Sequence, residues 1–134
     1  MPVSEADRAL ADFEAGRIDP AQFRHRDHVR VGYELLRRHP FPEALFHLAR
    51  GLRQLAVRAG RREIYHETIT AAFLAVIAER WLADGEIEWE DFAARNPDLF
   101  RQGLLEEIYG RNRLRSPAAR QTFILPRPTC LPNE

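Results

Sequence analysis

"PEALFHLARGLRQLAVRAG", residues 42–60, decides the fold class. Its apolar positions Leu45, Leu48, Leu52, Leu55 and Ala59 alternate steps of three and four, the seam of a helix packed against neighbours. Gly60 is its stop, because glycine takes the left-handed backbone that closes a helix at little steric cost. Period-two alternation, the mark of a half-buried strand, is almost missing from the chain.

Working outward from this helix, the same period recurs on both sides. Downstream, about Glu63 to Ala83 carries an apolar arc of Ile69, Phe73, Val76, Ile77 and Trp81, ended by Asp84-Gly85. Upstream, Asp27 can cap a helix whose buried face is Val29, Tyr33 and Leu36 and which "HPFP" at 39–42 breaks. Ser4 with Asp7 three residues on opens a first helix ending at Gly16, and Asp19-Pro20 starts a short turn. "WEDFAARNP" and "NPDLFRQGLLEEIYG" read as two more helices, and Ser116-Pro117 starts a final turn. "TFILPRPTCLPNE" is extended, with Phe123, Ile124 and Leu125 lying on the bundle. The expectation is all-α: a single-domain bundle of about six helices over 1–126 with short connections, and a flexible C-terminal tail over 127–134.

The totals narrow the function classes. One domain of 134 residues buries about two thirds of its unfolded surface, so it needs no staples. Cys130 is the only cysteine, which excludes an intramolecular disulfide and points to a reducing, cytoplasmic setting. No cationic start precedes an apolar run and no apolar segment approaches a membrane span, so no membrane partner is expected. Acids and bases balance at 20 each, which argues against nucleic acid as partner. Eight acids lie between Asp84 and Glu107 and five arginines between Arg111 and Arg127, segments expected to pair with each other across the fold. Glycine-rich phosphate loops, GxSxG elbows and CxxC pairs are missing.

Two histidine fragments carry the candidate chemistry. "FRHRDHVR", 23–30, sets His25 and His28 three residues apart, within chelating reach of one ion on one side of a helical turn. "YHETIT", 65–70, holds His66. Short links on either side of the 42–59 helix make its two neighbours parallel, so His28 and His66 fall at the same end of the bundle. At about 100° per residue, His66 lies roughly 20° from Phe73 on the inward arc, Thr70 about 60° and Glu67 about 120° away. Helix N-termini disfavour imidazolium and leave neutral nitrogens. The expectation is therefore a divalent transition metal, zinc, iron, copper or nickel, held by His25, His28 and His66 with a position open for a small molecule. Asp27, Glu67 and Thr70 are candidate further ligands or orienting groups, and Arg30 and Arg80 candidate contacts for a substrate anion. No catalytic residue emerges, so enzyme activity stays open. His39 and His47 belong to the opposite end as surface or capping residues. The alternative is a non-catalytic interaction module without metal, presenting the acidic and basic segments; a homo-oligomer is compatible with either reading.

With "FRHRDHVRVGYELL", "YHETITAAFLAVIAERW", "NPDLF" and "RLRSPAARQTFILP" in view, the chain resembles an uncharacterised family of small bacterial all-helical proteins with HxxH and YHET segments. The likeness runs from about Phe23 to Pro126. It implies a free-standing bacterial domain and brings no catalytic residue, substrate or cofactor with it.

Overall fold

The computed structural model describes residues 4–127. Its elements are α1 Glu5–Glu14, α2 His25–Arg38, α3 Phe41–Arg58, α4 Glu67–Asp84, α5 Trp89–Arg95, α6 Leu104–Tyr109, α7 Arg111–Leu114 and α8 Pro117–Gln121. Short 3-10 turns at Pro20–Gln22, Arg62–Ile64 and Pro97–Phe100 connect them, and the described residues contain no strand. The protein is an all-α single-domain bundle. None of the described helices is long and apolar enough to cross a membrane.

Helices α2, α3 and α4 pack on one another and carry most of the core, with α1 laid across α2 and α3. Two glycines set the closeness of this packing. A Cβ on Gly32 would stand 3.1 Å from Ile77 Cδ1 and 3.3 Å from Leu74 Cδ1, so the bare backbone lets α4 approach α2. On Gly51 it would fall 2.3 Å from the Phe13 ring, which seats α1 against α3. Leu35, Leu74, Tyr33, Phe13 and Phe92 are fully buried within the resulting core.

Several sequence expectations change at helix ends. α2 begins at His25 with Arg24 at its cap position, and Asp27, in the first turn, accepts the Arg24 backbone N–H at 2.8 Å. Asp27 is thus a reach-back partner rather than the cap. α4 begins at Glu67, four residues later than about Glu63; His66 is its cap, in extended conformation, and Ile69 is 39% exposed. The fully buried face of α4 holds Ile77, as expected, together with Thr68 and Leu74. "NPDLFRQGLLEEIYG" is a 3-10 turn and α6, divided at Gly103, whose φ of 94° no continuing helix adopts. With α7 and α8 this division gives eight helices among the described residues where about six were expected.

At the C-terminal side, Ile124 packs inward while Phe123 and Leu125 are exposed. The pairing expected across the fold between the acidic and basic segments reduces, among the described residues, to a local contact at Glu106, which faces Arg111 at 3.6 Å and Arg115 at 3.4 Å, while Asp98 pairs with Arg80 and Glu107 with Arg101. Arg113 instead reaches the Leu125 carbonyl, and Arg120 the Glu63 carbonyl. Cys130 and the tail beyond Arg127 lie outside the described residues.

Candidate binding pocket

The seam of α3 does not close completely against its neighbours. Between α2, α3 and α4, at the end where α2 and α4 begin, lies a half-open cavity of about 300 Å³. Leu48, Leu52 and Leu55 form its α3 wall and Phe73 and Ile77 its α4 wall. His25, His28, Tyr65, His66 and Thr70 supply its polar groups. Among the described residues no Arg, Asp or Glu lines it. The end at which the two histidine fragments were expected to meet is therefore the end that holds the cavity.

The three imidazoles differ in what remains free. His66 Nδ1 accepts the Ile69 backbone N–H at 3.1 Å, which caps α4, and Nε2 lies 2.7 Å from the Leu114 carbonyl. A carbonyl only accepts, so Nε2 carries the proton and both nitrogens are committed. Burial holds its pKa below the ordinary histidine range, with the Leu114 carbonyl opposing that fall. His25 Nε2 lies 2.9 Å from the Leu99 carbonyl, so neutral His25 has Nε2–H and a lone pair on Nδ1. Its ring meets Phe73 edge-on at 5.3 Å.

His28 rests on the Phe23 ring at 4.5 Å, and neither of its nitrogens has a hydrogen-bond partner among the described residues. Burial, helped by the nearby His25 and opposed by Asp27, pushes its pKa down to about 4. At neutral pH it offers one N–H and one lone pair. The ring centres of His25 and His28 stand 6.4 Å apart.

The remaining candidates divide clearly. Thr70 lines the cavity, as expected from its place one turn above His66, and its hydroxyl donates to the His66 carbonyl at 2.8 Å. Glu67 stays off the lining: it accepts the Tyr65 hydroxyl at 2.6 Å and meets Arg53 at 3.2 Å. Tyr65 is pushed up to about 12, first by burial and then by Glu67. Asp27 and Arg30 line a separate, smaller cleft beside α1, where Arg30 Nε is buried without a partner and the guanidinium lies 5.6 Å from the Trp89 ring centre. Arg80 is not among the lining residues; it is bound to Asp98 at 2.7 and 2.9 Å and to Asn96 at 3.0 Å. The His39 and His47 rings lie 4.6 Å apart, tilted by 31°, at the other end of α2 and the start of α3, with His47 Nδ1 3.9 Å from Glu14.

Sequence reasoning passed over Tyr65 as a cavity residue, although its place directly before His66 was a signal. It could not find the Leu99 and Leu114 carbonyls that fix the two imidazoles, since a backbone carbonyl leaves no trace in residue identity. Among the described residues no three His, Cys, Asp or Glu side chains are grouped so as to hold a metal ion. Comparison of the chain with family models, with curated proteins and with solved structures found no match.

Proposed function

We propose that this protein binds one small, largely apolar molecule in the cavity between α2, α3 and α4. The observation that carries the reading is a cavity of ligand size whose walls are apolar and which retains an unpartnered, neutral imidazole, His28. Apolar walls supply affinity through desolvation, and the few polar groups orient the guest. Both His28 nitrogens remain free to bond a polar atom of the guest.

A second reading keeps the metal. The Leu99 carbonyl orients His25 as carbonyls orient metal-binding imidazoles elsewhere, leaving Nδ1 free. Distance favours the first reading. Two imidazoles on one tetrahedral ion would bring their ring centres to about 5 Å, given metal–nitrogen bonds of about 2 Å. At 6.4 Å the two rings would have to face the ion almost from opposite sides. His66 could join through Nδ1 only by releasing the Ile69 N–H that caps α4.

The test is titration of tag-free protein with the neutral apolar fluorophore N-phenyl-1-naphthylamine, alongside elemental analysis of the same preparation. Saturable one-to-one binding, abolished by Ala59→Trp at the exposed rim of the cavity, is expected. Unsaturable binding that Ala59→Trp leaves unchanged would refute it. One zinc, iron, copper or nickel per chain, lost in His25→Ala and His28→Ala, would establish the second reading.

A further inference from the structure

This inference rests on the pocket reading and names the class of molecule. The polar side chains of the cavity have nearly all given away their protons. Tyr65 donates to Glu67, Thr70 to the His66 carbonyl, His66 to the Leu114 carbonyl and His25 to the Leu99 carbonyl. What they can still offer a guest is lone pairs: the Tyr65 and Thr70 oxygens and His25 Nδ1. Only His28 keeps a donor, and it keeps an acceptor as well.

From this inventory and the ring spacing we infer that the ligand is a neutral alcohol or phenol whose hydroxyl bridges His25 and His28. A hydroxyl gives one proton and accepts another, which matches His25 Nδ1 on one side and the His28 N–H on the other. The geometry agrees. An oxygen hydrogen-bonded to a ring nitrogen sits about 4 Å from that ring's centre, and two such contacts opening at roughly 105°, near the tetrahedral angle, separate the centres by about 6.4 Å. The observed separation is 6.4 Å.

Other polar heads fit less well. A carboxylate or phosphate would bring a charge into a cavity lined by no cation and would find one donor side chain. A protonated amine would find acceptors but no anion, because Glu67 is outside the lining and already engaged by Tyr65 and Arg53.

The test uses three probes on one framework, naphthalene, 2-naphthol and 2-naphthoate, titrated into the full chain and followed by the NMR methyl signals of Leu52, Ile69 and Ile77. 2-Naphthol should bind about tenfold more tightly than naphthalene, the worth of one to two buried hydrogen bonds, and naphthoate more weakly than either. His25→Leu should erase the advantage of naphthol while leaving naphthalene binding within about twofold. Naphthalene or naphthoate binding as tightly as naphthol would overturn the hydroxyl assignment and leave the pocket reading standing. Failure of all three to bind would overturn both.

Discussion

Two half-buried polar clusters sit on α4, one near each end, and they are built on opposite principles. Around Arg80, demand is met: the guanidinium faces Asp98 and Asn96, and Asn96 in turn donates to Asp84 and the Phe92 carbonyl, both at 2.9 Å. Asp98 is held below the usual carboxylate range chiefly by its hydrogen bonds from Arg80. At the His66 end, the cap is equally satisfied, but the facing His28 has no partner and a cavity lies beside it. A saturated cluster ties α4 to α5 and the turn at Pro97–Phe100. An unsaturated one, at comparable burial, has capacity left for a guest.

The contrast can be broken first at its saturated end. Asn96 is 5% exposed, so Asn96→Ala strands Asp84 and the Phe92 carbonyl and should lower unfolding free energy by about 3 kcal/mol in urea denaturation. A loss below about 0.5 kcal/mol would remove the distinction between the two clusters. His66→Ala should cost about 2 kcal/mol through the lost cap and carbonyl bond, and His66→Asn should recover about half, since an amide oxygen caps α4 equally well.

The unsaturated end answers to pH. His28 binds its proton at about 4 when folded and near 6.5 when unfolded, so between those values the unfolded chain holds more protons. Stability contributed by neutral His28 is full above about 6.5 and falls as pH drops toward 4, by about 2 kcal/mol after allowance for partial exposure. His66, also lowered by burial, acts in the same direction. His28→Phe should flatten the difference in denaturation midpoint between pH 7 and pH 4.5; an unchanged slope would place the titration elsewhere. The smallest effect is that same variant's stability at pH 7, expected within about 1 kcal/mol of the parent because no hydrogen bond to another described residue is lost.

Much of this architecture was legible. The α3 seam, the Ser4 cap with Asp7, and the stops at Gly60 and Gly85 are local patterns, and the structure follows them. Convergence of His25, His28 and His66 was legible too, since it depends only on short links and helix order. What failed was phase at a boundary. Treating residue 66 as helical gave it an inward direction; it is buried, but as an extended cap whose nitrogen replaces a missing helical acceptor. The same carry-through took a helix across Gly103, although only a positive φ serves that corner. The saturation of each imidazole was beyond sequence, because it is decided by carbonyls 48 and 74 residues away.

The central claim, that His25 and His28 are open to a guest while His66 is closed, meets its most direct test in long-range ¹H–¹⁵N NMR of the histidine side chains, recorded during the 2-naphthol titration. The account predicts that the His28 and His25 ring nitrogens shift together and saturably, with His66 unmoved as the Nε2–H tautomer throughout. Ring signals of His25 and His28 that stay fixed while probe binds, or a shift confined to His66, would contradict it.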